Sequence, residues 1–96
     1  SGYTPLYVAA SHGNIHAVNS LLELGADPNK RSCSYNWTPL HPAAFQVGHR
    51  VFPYKEIYDV LKKRGAKELE DSQGRKPRQL INHPEELNQK YIFWMG

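Results

Sequence analysis

The sequence predicts an all-α fold, a repeat array whose units each read helix, turn, helix and then loop. Three observations lead there. Residues 2–10 return 34 positions later as residues 36–44; a second motif at 21–29 is echoed at 60–67; and each copy carries capping and turn residues at matching places. Two motifs recurring in one order at this spacing mark a repeat array, in which each unit covers its neighbour's apolar side.

The first unit spans residues 1–34. Thr4 is an N-cap hydroxyl for the free amides of the first helical turn, and Pro5 follows where a missing N–H costs nothing. Ala9 and Ala10 are small enough for another helix to approach closely. Gly13-Asn14 closes this short helix, with glycine suited to a left-handed C-cap. A second helix runs from about Ile15 to Leu24, placing Ile15, Val18 and Leu22 on one face with Leu21 beside them. Gly25 ends it, and Asp27-Pro28-Asn29 is turn chemistry.

The second unit, residues 35–70, repeats this plan with Thr38 as cap, Pro39 at the first helical position and Ala43-Ala44 inside. Ala9 and Gly25 are 16 residues apart, Ala43 and Gly65 are 22 apart, so six extra residues lie between the unit's helices, around 46–54. Pro53 is expected to start the second helix, which runs to about Lys63 with Ile57, Val60 and Leu61 inward. Val51, Phe52 and Tyr54 of the insertion either plug the unit's own core or meet a partner. Pro42 takes the place of an ordinary helix former and has no functional reading. A degenerate capping unit fills 71–96, fainter because a terminal repeat turns one face to water. It is expected to hold short helices near Pro77–Asn82 and from about Pro84 through Tyr91, with an apolar stretch at Tyr91–Met95 that packs internally or meets a partner.

Ninety-six residues and 11.0 kDa make one small domain. A single cysteine, Cys33, excludes an internal disulfide and suits a reducing, intracellular location, cytoplasmic or nuclear. The longest apolar runs, 6–10 and 91–95, are far short of a membrane span. Charge is uneven: −2 over residues 1–29, +6 over 30–67 and −1 over 68–96. A basic middle favours an acidic partner, or else forms a solvated face with cations at a helix C-terminus. His12 and His16 have the spacing of two helical zinc ligands, yet Gly13-Asn14 breaks the helix between them. Cys33 lies near Lys30 and Arg31, which favour thiolate, without a partner histidine placed by sequence. No catalytic residue, metal site or cofactor is therefore assigned.

Gly-x-Thr-Pro-Leu-His followed by Ala-Ala, then Leu-Leu-x-x-Gly-Ala-Asp-x-Asn, is a specific pattern, and the chain resembles the ankyrin-repeat family over residues 1 to about 81. The resemblance implies an ankyrin-repeat solenoid of stacked antiparallel helix pairs with projecting loops, and a non-catalytic protein-binding module. It implies recognition at loop tips and first-helix surfaces: Tyr3, Ser11 and His12 in unit one; Arg31, Tyr35, Asn36, Trp37, Phe45 and Gln46 around unit two; Phe52 in the insertion; and Arg75 beyond. Trp37 is the expected anchor, since Trp, Tyr and Arg are enriched in binding hot spots. The resemblance further implies that the His41 imidazole bonds the capping threonine and a neighbouring loop, making Thr4, Thr38 and His41 structural residues. Asn29 looks like asparagines that an intracellular asparaginyl hydroxylase modifies in such repeats; its plainer role is to hold its loop. Additional repeats are expected on the N-terminal side. Two other functions stand beside protein binding: anionic-ligand or nucleic-acid binding by the basic, aromatic loop of unit two, disfavoured because no groove-reading motif is present, or bracing of a larger enzyme or channel.

Overall fold

The computed structural model describes residues 3–32, 35–49 and 51–81. Four helices follow in order, α1 (Pro5–Ser11), α2 (Ile15–Glu23), α3 (Leu40–Phe45) and α4 (Tyr54–Lys63). A further helical stretch covers 77–81, and no strand occurs among the described residues. α1 packs on α2 and α3 on α4, one pair per unit; α1 then meets α3, and α2 meets α4, across the unit boundary. The expected helix from Pro84, the Tyr91–Met95 stretch and Cys33 lie outside the described residues.

Local chemistry sets where each helix starts. Thr4 Oγ1 accepts from the Tyr7 amide at 3.1 Å, with Pro5 opening α1. Asn14 Oδ1 accepts from the Ala17 amide at 3.1 Å, so this residue begins α2 as well as ending the preceding turn. Unit two departs from the plan. In unit one the Val8 amide donates to the Thr4 carbonyl at 3.0 Å. Its counterpart is Pro42, which has no N–H, and the Thr38 carbonyl instead takes the His41 amide at 3.0 Å, a tighter three-residue turn. α3 therefore begins at Leu40 without a side-chain cap. The expected capping role of Thr38 is corrected accordingly: its hydroxyl lies 3.1 Å from His41 Nδ1. α4 likewise starts at Tyr54, one residue after Pro53, whose ψ of 59° is not helical.

One core runs through both units, built on Leu6, Ala9, Ala10, Val18, Leu22, Leu40, Ala43, Ala44, Ile57, Tyr58, Leu61, Ala66 and Leu80. Full burial of a leucine or isoleucine contributes roughly 1.5–3 kcal/mol, and the small alanines let α1 and α3 lie close. Val60, expected inside, is only partly buried, whereas Tyr58 is buried. Its hydroxyl donates to Glu68 Oε2, which also takes Lys62 Nζ at 3.0 Å, while Oε1 takes the Arg78 amide at 2.8 Å. Burial alone would raise the Glu68 pKa; these donors hold it below its ordinary value.

The outer face of unit one is open. Pro5, Val8 and His12 are exposed, and Ala17 and Leu21 half-buried. With Tyr3, Ala9 and Asn14 they line a depression of about 520 Å³. Val18 and Leu22 point the other way, into the core.

Candidate functional site

The hairpin tip of unit two is built on an uncommon backbone. Tyr35 and Asn36 both have φ +56°, a left-handed conformation that asparagine tolerates and tyrosine adopts reluctantly. Such residues cost about 1–3 kcal/mol each and persist only where neighbours over-determine them. Those neighbours are visible. The Ser32 amide donates to the Trp37 carbonyl at 2.7 Å, and the Ser72 amide of the next hairpin donates to the Tyr35 carbonyl at 2.8 Å. Arg31 Nη1 reaches the Asn36 carbonyl at 2.9 Å and the Glu70 carbonyl at 2.8 Å. Its guanidinium thus braces two successive tips.

Trp37 joins this tip to the first helix. Its ring stacks on His41 (centroids 5.7 Å apart, planes 10° apart) and tilts against Tyr35 at 5.9 Å and Phe45 at 6.1 Å. Nε1 donates to Asp71 Oδ2 at 2.8 Å. Tyr35 is 55% exposed and Phe45 42%, with Trp37 half-buried between them. The three rings make a continuous aromatic strip from tip to helix.

The strip rests on two buried polar groups. Asp71 accepts from Trp37 Nε1, from the Gln73 and Arg75 amides at 2.8 and 2.9 Å, and from Arg75 Nε at 3.0 Å. Burial disfavours its charge, but the donors outweigh it and hold its pKa at about 2. His41 Nδ1 accepts from the Thr38 amide at 3.0 Å, which fixes the proton on Nε2, 3.2 Å from the Arg75 carbonyl. Burial lowers the His41 pKa, and the ring is neutral. Among the described residues no buried side-chain polar atom is left unpartnered.

The insertion folds back onto unit one and not into its own core. Tyr54 Oη and Gln46 Nε2 both donate to the Ser11 carbonyl, at 2.9 and 3.1 Å. Tyr54 is buried, Phe52 44% exposed and Val51 76% exposed. Phe52 lies over Gly13 so tightly that a Cβ there would meet its own Cβ at 2.6 Å. His49 packs on the Phe52 and Tyr54 rings.

The residues singled out from the sequence therefore fall into three places. Arg31, Tyr35, Asn36, Trp37, Phe45 and Arg75 converge at the aromatic strip. Ser11, Gln46 and Phe52 gather at the insertion. Tyr3, whose ring meets Tyr7 at 5.2 Å, and His12 sit on the open face. Asn29 stands apart as a clasp between units: Nδ2 donates to the Gly65 carbonyl at 3.1 Å and Oδ1 accepts the Lys67 amide at 2.7 Å. Asp71 escaped the sequence reading, although the Asp71-x-x-Gly74 turn signal pointed at it. Tyr54, expected to plug its own unit or meet a partner, instead bonds to Ser11 of unit one. Among the described residues no group of three His, Cys, Asp or Glu is placed to hold a metal ion, and no helix is long and apolar enough to cross a membrane.

Comparison with known proteins agrees with this architecture. Residues 1–75 match the family described as ankyrin repeats, three copies. The inactive serine/threonine-protein kinase TEX14 is 36% identical over 76 residues in Mus musculus and 37% in Bos taurus. Each alignment covers 79% of this chain and 5% of that protein. Alpha-latrotoxin-Lh1a of Latrodectus hasselti is 46% identical over 43 residues, which is 45% of this chain and 3% of the toxin. The chain thus spans a small fraction of the curated relatives it matches. Repeats of this kind generally serve as protein–protein interaction modules and are typically non-catalytic. Two helix pairs in register, a Thr-Pro-Leu-His network closed onto the next hairpin and the match over residues 1–75 have one meaning: this chain belongs to the ankyrin-repeat family.

Proposed function

We propose that the chain is a non-catalytic protein-binding module whose contact surface is the aromatic strip Tyr35–Trp37–Phe45. The observation that carries this is preorganisation. Tyr35 and Asn36 are held in costly left-handed conformations by bonds from Ser72 and Arg31 respectively, and more than half of the Tyr35 surface is in water. An exposed tyrosine on a braced backbone, beside a tryptophan, offers contact area with little backbone entropy left to lose on binding. Arg31 and Arg75 are engaged by carbonyls and by Asp71, which argues against the anionic-ligand reading at this loop. A photo-crosslinking phenylalanine analogue at position 45, in the intact array, tests the assignment. Protein adducts lost when Tyr35 becomes alanine support it; adducts unaffected by Tyr35→Ala overturn it.

We further infer that the open face of unit one receives another helix pair of the same kind. The support is the internal register. Pro39, Pro42, Ala43, Ile57 and Leu61 of unit two correspond to Pro5, Val8, Ala9, Ala17 and Leu21, and they are buried at the junction with unit one. Fusing one consensus repeat before Ser1 should raise the unfolding midpoint. No gain would remove the inference.

A further inference from the structure

The positive charge of the middle segment is unevenly used. Lys55 pairs with Asp59 at 3.2 Å and Lys62 with Glu68 at 3.0 Å; beyond the segment, Arg75 pairs with Asp71 at 3.0 Å. Lys30, Lys63, Arg64 and Lys67 are all exposed and pair with no carboxylate among the described residues. They belong to two distant segments that the Asn29 clasp brings together. Its two side-chain bonds hold residue 29 within hydrogen-bond reach of residues 65 and 67, so Lys30 and Lys67 lie at one junction with Lys63 and Arg64 just before it.

Cations at the end of α4 have an obvious use in offsetting the helix dipole, but the magnitudes do not match. The dipole presents roughly half a negative charge, against four positive side chains, and Lys30 and Lys67 are not on the helix. Asp27, whose Oδ1 accepts from the Asn29 amide at 2.8 Å, is the only carboxylate of its loop. On the facing segment Glu68 is engaged by Tyr58 and Lys62, and Glu70 lies exposed three residues past Lys67, which still leaves positive charge in excess. A net positive junction held at fixed geometry steers and selects for opposite charge.

We propose that this junction at the foot of α4 is a second contact surface, which takes an acidic segment of a protein partner. The proposal extends the protein-binding reading by naming the chemistry of a separate contact. Its test does not touch the aromatic strip, so the two can fail independently. The probe is a fluorescein-labelled Glu-rich peptide, titrated with this chain by fluorescence anisotropy at about 50 and about 200 mM salt, where screening of exposed charges differs strongly. Lys30→Glu and Lys67→Glu are each expected to weaken binding about fivefold or more at low salt. Lys55→Glu, which changes net charge equally, should stay within about twofold, and the wild-type affinity should fall with added salt. Equal losses for all three variants would show only a diffuse attraction and overturn the proposal. So would an affinity indifferent to Lys67, or a duplex DNA that binds more tightly than the peptide with the same dependence on Lys30 and Lys67. Matching circular dichroism melts establish that these exposed substitutions leave the fold intact.

Discussion

Gly13 offers the sharpest test of how the insertion is fastened. It has φ +75°, and a Cβ placed there would lie 2.6 Å from Phe52 Cβ, 3.0 Å from Phe52 Cγ and 3.1 Å from Tyr54 Cζ. Gly25 provides the control, with φ +94° and nothing within 4 Å. Alanine in the left-handed region costs roughly 1–2 kcal/mol wherever it is placed. Overpacking against a fixed neighbour adds about 1–3 kcal/mol more. Gly25→Ala should therefore destabilise by the first amount alone, and Gly13→Ala by about 2–5 kcal/mol in all. Urea unfolding followed by circular dichroism measures both. Phe52→Gly removes the two closest atoms, so in a double-mutant cycle it should relieve part of the Gly13→Ala penalty, with a coupling of about 0.5–3 kcal/mol. Equal costs at Gly13 and Gly25, or a coupling of zero, would refute the claim that the insertion is pinned to the turn of unit one.

Other perturbations follow from the polar network. His41 has a folded pKa below its ordinary 6.5, so the unfolded chain takes up that proton first. Its stabilising contribution is present above pH 6.5 and is lost as pH falls through the folded value, by at most about 1.4 kcal/mol per pH unit. Asp71 contributes above pH 3.8 and is lost on approach to about 2. Urea midpoints plotted against pH should show both steps, and His41→Gln should erase the upper one. Trp37→Phe keeps a ring on His41 but removes a donor from a buried carboxylate; a loss of about 1.5–3 kcal/mol is expected, with the Asp71 pKa rising in an NMR titration. Asn29→Ala deletes both bonds of the inter-unit clasp and should cost about 1–3 kcal/mol, with faster hydrogen exchange at the Lys67 amide as its local sign.

What could be read from the sequence was what is decided locally. Thr4 before Pro5, Gly13 and Gly25 after their helices, and the paired alanines act within one turn of themselves, so their spacing reveals the helices directly. Non-local effects were hidden. Nothing near Phe52 announces that it meets Gly13, 39 positions earlier; only closure of the stack brings them together. Tyr58 reads as a polar-tipped neighbour of Ile57, and its burial depends on Glu68 reaching its hydroxyl. Trp37 was conspicuous as a residue type, yet Asp71 and His41, which fix one edge and one face of its ring, lie in different elements. Pro42 displaced the start of α3 through a missing proton, an effect visible only beside its counterpart Val8.

The convergence of Tyr54 and Gln46 on one oxygen of Ser11 has a mechanical consequence. In a plain stack of repeats, adjoining units are joined along their flanks and can peel apart one at a time from an end. Here a strut rises from the later unit and grips the earlier one at the end of α1. Fraying of the first helix must break that grip before water can enter. Under force or mild denaturant the two units should consequently open as a single block.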